Sequence, residues 1–258
     1  MVCAMSGAGF SDVRRFTEVD STNRYVLDQA RHGAPEGLVA VADHQSAGRG
    51  RRDRRWEAPA GTALLVSVLL RPVLAPDQLH LCTALVALAA ADACQRVAAV
   101  RPDVKWPNDL VVDGAKLAGV LAEADGSAPG GPPGSTAVVV GVGVNVSWPG
   151  PPGVGGTSLL ELTGTAVDRD QLLEALVGTV ADRRPSLDRS DGRAALSAEL
   201  AARCATVGQR VRVDLGTSVV TGTAVDLTED GHLVVETEQG RCEVAAGDVV
   251  HLRPAADG

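Results

Sequence analysis

The chain has 258 residues, 45% apolar and 22% charged; this balance supplies one sizeable core and a small second unit, and it excludes disorder throughout and a collagen-like polymer. A net charge of −8 argues against coating nucleic acid or an anionic membrane as the main task, although a local basic patch stays open. With only six aromatics the core must be Val, Leu and Ala, and with 22 arginines against two lysines, Lys105 and Lys116, each lysine is informative.

In chain order, the start lacks a basic segment followed by an apolar stretch, so no secretory leader is expected. Residues 22–33 read as a helix: Ser21 or Thr22 caps it, Val26, Leu27 and Ala30 form a stripe, and Gly33 stops it. Residues 38–42 read as a short strand, 43–61 as a polar stretch without apolar period, and 62–70 as a strand buried on both faces. Apolar residues recur at helical spacing over 77–97; the longest nearly apolar run, 81–91, is too short for a bilayer and ends at Asp92. Asp113-Gly114 predicts a hairpin between 110–112 and 115–123. Residues 126–135 and 149–156 are Gly/Pro loops around a strand at 137–146, and helices follow near 169–188 and 192–202.

After Cys204 the texture changes. Val211, Val213 and Leu215 alternate with Arg212 and Asp214, and turns fall at Glu229-Asp230-Gly231 and Gln239-Gly240. This predicts a small antiparallel barrel of about 50 residues docked on the larger unit. The fold class is thus α+β with a C-terminal β appendage, divided into residues 1–203 and 204–258. The cysteines (Cys3, Cys82, Cys94, Cys204, Cys242) are odd in number, scattered and without a CxxC pair, which predicts reduced thiols in the cytoplasm and no zinc site. The five histidines have no metal-ligand spacing, and a Walker A sequence, a GxGxxG and a GxSxG elbow are all absent.

Four stretches could carry chemistry. Gln45 to Trp56 holds five arginines in seven residues (Arg49, Arg51, Arg52, Arg54, Arg55), with Gly48 and Gly50 to let the backbone bend. Guanidinium forks bind phosphates bidentately and Trp56 could stack on a heterocycle; a solvated basic loop or an RNA contact is the alternative. Lys105-Trp106-Pro107-Asn108-Asp109 ends a strand at Pro107, leaving Asn108 and Asp109 facing an opening, where Asp109 could hold a magnesium ion or a ribose; a plain turn is the alternative. Lys116, among small neighbours, either meets an anion or snorkels at the surface. Period-two alternation places Gly141, Gly143 and Asn145 on one face of a strand and four valines on the other. That glycine face is either a floor for a flat ligand or a bulge.

Taken together and in order, Ser21-Thr22-Asn23, Gln45 to Arg52, Lys105 to Asp109, Lys116-Leu117-Ala118-Gly119-Val120-Leu121 and Gly141 to Asn145 resemble the catalytic domain of biotin–protein ligases. The resemblance covers residues 16–162, and residues 207–253 look like that family's C-terminal SH3-like barrel. It implies a class II synthetase-like mixed sheet flanked by helices. The implied reaction has two steps: biotin's carboxylate attacks the α-phosphate of MgATP, giving biotinyl-5′-AMP and pyrophosphate, and a lysine of a biotin carboxyl carrier domain of acyl-CoA carboxylase then displaces AMP.

The resemblance assigns biotin to Ser21, Thr22, Asn23, Gln45, Gly48, Arg49, Arg51, Lys116, Gly119, Gly141 and Gly143. It assigns ATP to Arg49, Arg51, Arg52, Arg54, Trp56, Lys105, Asn108, Asp109, Lys116 and Asn145. Lys116 and Arg51 are the catalytic pair, and Mg²⁺ is carried by the ATP phosphates with Asp109 as a candidate ligand. Where the family usually has glycine after the paired arginines, this chain has Asp53, which bears on loop closure. The stretch before Ser21 is too short for the helix-turn-helix of regulatory members, so no specific DNA binding is expected; no membrane partner is expected either, and the protein should be a monomer or weak dimer. A lipoate or octanoate ligase of the same fold is the nearest rival, a nucleic-acid-binding module using the arginine loop the next, and a non-catalytic interaction protein a third.

Overall fold

The apolar strands of the first 200 residues assemble into one seven-stranded mixed sheet. Its strands are β1 (Asp12–Val19), β2 (Leu38–Gln45), β3 (Ala63–Leu70), β4 (Asp103–Lys105), β5 (Asp109–Val112), β6 (Ala115–Asp125) and β7 (Ala137–Asn145). They lie in the order β1-β2-β3-β7-β6-β5-β4, with β1 and β2 parallel and every other pair antiparallel. The computed structural model describes residues 9–245 and 247–252; Cys3 lies outside them.

β3 is buried along its whole length because both faces of the sheet are covered. On one side α1 (Thr22–Arg31) packs on β2, β3 and β7; on the other α2 (His80–Ala98) packs on β6 and β7 and is backed by α4 (Arg169–Arg183) and α5 (Ser190–Ala202). By length and hydropathy the helical span Pro76–Ala98 would suffice to cross a bilayer, a point the 81–91 run understates; here it is mostly buried, the central helix of the core. Burial pushes the Cys82 and Cys94 thiols of α2 up to about 12, so both stay protonated at neutral pH.

The second unit is a five-stranded antiparallel sheet of β8 (Arg210–Asp214), β9 (Val219–Leu227), β10 (Leu233–Thr237), β11 (Gly240–Val244) and β12 (Asp248–His251), in the order β11-β10-β9-β8-β12. The alternation expected at Val211 and Val213 holds, and both side chains join the same apolar core as α2 and the main sheet. Trp106, 4% exposed, pins the joint: its backbone N–H donates to Thr206 Oγ1 (3.0 Å) and its indole N–H to the Gly231 carbonyl (3.0 Å).

Several elements differ from the sequence expectation. β1 carries no apolar strand signal because its charged residues Asp12, Arg14, Arg15 and Glu18 belong to an edge strand that is largely solvated. β2 runs three residues further, to Gln45, which lines the cavity described below. Pro185 lacks the N–H a helix needs, so the predicted helix over 169–188 ends at Arg183 and passes into a 3₁₀ turn, Arg184–Asp188. The next helix starts at Ser190, and a short helix, α3 (Leu159–Thr163), capped by Ser158, was not anticipated. The Asp113-Gly114 hairpin is as expected, both residues having positive φ (50° and 79°).

Arg71, 1% exposed, closes the C-terminal end of α1. Its guanidinium donates to the carbonyls of Ala30, Ala34 and Ala128, tying the 126–135 loop to the helix end. Truncation would leave the Ala34 and Ala128 carbonyls without this donor and would empty a buried space, although Ala30 keeps the Gly33 N–H. Arg71→Ala is therefore expected to lower unfolding stability by about 3 kcal/mol, read from urea denaturation midpoints at unchanged slope; a loss indistinguishable from that of a surface arginine would contradict this account.

Candidate active site

One cavity of about 790 Å³ opens between a face of the main sheet at β3, β7 and β6, the arginine-rich hairpin and the start of β12. Its walls bring together residues that are up to 229 positions apart in the chain, from Ser21 to Val250.

At one end lies a neutral polar network. Ser21 caps α1, accepting from the Arg24 N–H, and so fixes Thr22 and Asn23 at the helix start. The Thr22 backbone N–H (2.8 Å) and hydroxyl (3.0 Å) meet Gln45 Oε1, which leaves the Gln45 amide N–H₂ as a donor. Ser67, fully buried on β3, donates to Asn23 Oδ1 (2.6 Å) and lies 2.7 Å from Thr22 Oγ1. The Asn23 amide donates to the Leu121 carbonyl and to Glu123. Beside it Gly141 is obligatory, since a Cβ there would collide with Asn23 Oδ1.

The floor beyond is made by Gly119 and Gly143, across which lies the Trp56 indole. A Cβ on Gly143 would come within 2.5 Å of Trp56 Cε2 and one on Gly119 within 3.0 Å of Cζ3. The Trp56 indole N–H is buried and finds no partner among the described residues. The flat group expected against the glycine face is therefore, in this structure, the protein's own tryptophan, with Lys116 Nζ 5.6 Å from the ring centroid.

The charged end is the hairpin. Gly50 N–H donates to the Arg54 carbonyl and Trp56 N–H to Gly48, where the close approach leaves no room for a side chain. Arg52 and Asp53 at the tip both have positive φ (51° and 58°), so Asp53 occupies a left-handed position of the kind glycine adopts without penalty. The expected mutual repulsion of the guanidiniums is relieved by carboxylates and carbonyls brought from elsewhere. Arg49 pairs with Glu123 at 2.6 Å. Arg51 donates to Asn108 Oδ1 (3.2 Å) and the Gly247 carbonyl (3.1 Å), Arg52 to the Asp214 carbonyl (2.7 Å), and Arg54 to Asp248, which also lies 3.8 Å from Arg51 and 3.6 Å from Arg52. Burial lowers the Arg51 pKa while Asp248 opposes the shift, and the group stays charged at neutral pH.

Lys116 meets Asp109 at 2.7 Å, and both line the cavity with Lys105 and Asn108. The Asn108 amide N–H₂ donates to the Val120 carbonyl, which fixes its oxygen toward Arg51. Asn145 lines the cavity too, but its amide hydrogens go to the carbonyls of Lys116, Pro149 and Thr157, so it staples the 149–156 loop to β6. Two of the expected residues stand apart from this cavity. Gly48 lines a smaller adjoining hollow of about 380 Å³ with His44 and Trp148, and Arg52 turns onto the C-terminal sheet.

The sequence signature of the biotin/lipoate A/B protein ligase family matches residues 15–145, and that of the biotin protein ligase C-terminal domain matches 206–252. The chain belongs to this family. It is 37% identical over 255 residues to a biotin–[acetyl-CoA-carboxylase] ligase of Mycobacterium tuberculosis, covering 96% of this chain and 92% of that one. The ligase of the same name from Paracoccus denitrificans is 35% identical over 89% of this chain and 96% of its own length. Among solved structures, the biotin protein ligase from Aquifex aeolicus in complex with biotin and ATP aligns with a TM-score of 0.79, at 26% identity, over 95% of this chain and 100% of that one.

Sequence reasoning missed four groups that hold this family site in place, Ser67, Glu123, Thr206 and Asp248, and gave Trp106, though part of the quoted Lys105–Asp109 stretch, no role of its own. Ser67 had a readable signal, a lone hydroxyl inside an apolar strand buried on both faces. A Cβ at Gly143 must push the Trp56 ring off the floor, so Gly143→Ala should cost about 1–3 kcal/mol in chemical unfolding, and most of that loss should vanish in a Trp56→Leu background. An equal loss in both backgrounds would show that the ring does not rest there.

Proposed function

We propose that the chain is an ATP-dependent biotin–protein ligase that forms biotinyl-5′-AMP and transfers biotin to a lysine of a biotin carboxyl carrier domain of acyl-CoA carboxylase. The observation that carries the reading is a single cavity with a neutral hydrogen-bonding end at Thr22, Asn23 and Gln45, a glycine floor, and a charged end at Arg49, Arg51, Arg54 and Lys116. Biotin's ureido ring is neutral and rich in donors and acceptors, its chain is apolar, and its carboxylate must approach a polyanion. The three regions of the cavity answer these needs in the same order.

In this reading Ser21, Thr22, Asn23 and Gln45 take the ureido head, with Gly119, Gly141 and Gly143 beneath the rings and Gly48 shaping the hairpin that closes over them. Two anions repel, so Lys116 and Arg51 neutralise the biotin carboxylate and the α-phosphate and align them for in-line attack, their charge meeting the one that builds on the phosphoryl oxygens. Arg49, Arg54 and Lys105 serve the remaining phosphates, while Asn108, Asp109, Asn145 and Trp56 serve the nucleoside, with Trp56 leaving the glycine floor to pack on adenine; Arg52, turned onto the C-terminal sheet, takes no phosphate in this reading. The donor set suits Mg²⁺ carried by the nucleotide: among the described residues no three His, Cys, Asp or Glu side chains gather as a ligand set, and Asp109 lines the cavity as a candidate carboxylate ligand. When bound, the ion would offset triphosphate charge. In the second half-reaction the carrier lysine attacks the acyl carbon and AMP leaves; until then the hairpin must keep water from the mixed anhydride.

We assign residues 1–203 to the catalytic unit and 204–258 to the barrel, supported by the end of α5 at Ala202 and the start of the second sheet at Arg210. A cytoplasmic monomer or weak dimer without a DNA or membrane partner is the accompanying reading, supported by the net charge of −8 and by the free thiols of Cys82, Cys94, Cys204 and Cys242.

Biotin-dependent exchange of labelled pyrophosphate into ATP tests the first half-reaction. Lys116→Ala should lower the exchange rate on the order of 10²-fold or more, and lipoate should not compete with biotin; exchange driven by lipoate instead would move the assignment to the rival ligase. Limited trypsin digestion should cleave the hairpin at Arg51 to Arg55 in the free protein and spare it with biotin and ATP together. Equal protection in both states would refute closure of the hairpin over the ligands.

A further inference from the structure

Glu123 stands behind the cavity, at the far end of β6, and its two carboxylate oxygens serve different partners. Oε1 accepts from Arg49 Nη1 at 2.6 Å; Oε2 accepts from Asn23 Nδ2 at 3.0 Å. Arg49 belongs to the charged hairpin and Asn23 to the neutral end, so one side chain touches both halves of the site. Through Asn23 the chain of hydrogen bonds continues to Ser67, Thr22 and Gln45.

We propose that Glu123 is a positioning residue shared by the two substrates, setting Asn23 beside the biotin head group and aiming Arg49 at the triphosphate; this rests on the biotin–ATP reading above. Asn23 spends both amide hydrogens inside the protein, on Leu121 and Glu123. What it offers the cavity is its oxygen, held by those anchors. Arg49 has five N–H groups in a planar fork, so Nη1 can stay on Glu123 while Nε and Nη2 turn to phosphate. A carboxylate behind such a fork fixes its plane, as the outer partners of a metal-bound histidine fix the ring.

A purely stabilising ion pair is the weaker explanation. The Arg49 side chain is 52% exposed against 18% for Glu123, and pairs so open to solvent add little to stability. The geometry instead has the character of a coupling device. Removal should therefore show in substrate binding more than in unfolding.

Two variants separate the roles. Glu123→Gln keeps the shape and one acceptor for Asn23 but loses the charge facing Arg49; Glu123→Ala loses both anchors. Biotin affinity, measured by calorimetry without ATP, should stay within about twofold of wild type in Glu123→Gln and fall about tenfold in Glu123→Ala. The KM for ATP in pyrophosphate exchange should rise about tenfold in both, with the unfolding midpoint of Glu123→Gln matching wild type. Arg49→Ala combined with Glu123→Gln should be no worse for ATP than Arg49→Ala alone, because the two act as one unit. Variants that match wild type in both substrates, or losses that simply add in the double mutant, would overturn the proposal while leaving the ligase reading standing. A wild-type protein that binds no biotin would overturn both.

Discussion

The site depends on neutralising a dense array of positive charge without a ligand's help. Five guanidiniums within seven residues would fly apart on an isolated loop. Here they form a hairpin because carboxylates from two other places reach it: Glu123 at the end of β6 meets Arg49, and Asp248 at the start of β12 gathers Arg51, Arg52 and Arg54. Both acceptors are anionic, as a triphosphate is. The hairpin is thus held beside the cavity by carboxylates, with guanidinium N–H groups left over for a further anion.

The second sheet is consequently part of the site rather than an addition to it. It supplies Asp248 and the Gly247 carbonyl to the arginines, and it anchors Trp106, the second residue of the Lys105–Asp109 segment, through Thr206 and Gly231. Thr206 in turn lies 3.1 Å from His251 Nε2, whose pKa is lowered by burial and then by Lys105. The neutral imidazole suits this crowded joint. Asn108 and Asp109 owe their position to an indole fixed from the opposite domain, and the apolar core runs without a break beneath both sheets.

Most groups facing the cavity were legible in the sequence, whereas Asp248, which also lines it, and the groups behind the wall were not. Ser21, Asp113-Gly114 and the alternation of Gly141, Gly143 and Asn145 each carry a local rule: a cap, a turn, a period of two. Glu123 is 74 residues from Arg49, and Asp248 is 194 from Arg54; a carboxylate in an acidic chain carries no local mark of its distant partner. Gly48 and Arg52 show the converse. Both sit inside a strong motif, yet Gly48 serves the hairpin's own backbone and Arg52 the domain joint. The edge strand β1 escaped because solvation of its outer side chains erases the apolar signal on which strand reading relies.

The joint at Trp106 has a corollary for exchanging domains. Its indole reaches a backbone carbonyl 125 residues away, at a turn whose length and register must suit it. Transplanting the tail of one homologue onto the body of another would misplace that acceptor even where both parts fold. A tail that folds correctly is thus not sufficient; its turn must also arrive in register with the body, so the two pieces are best exchanged together as a matched pair.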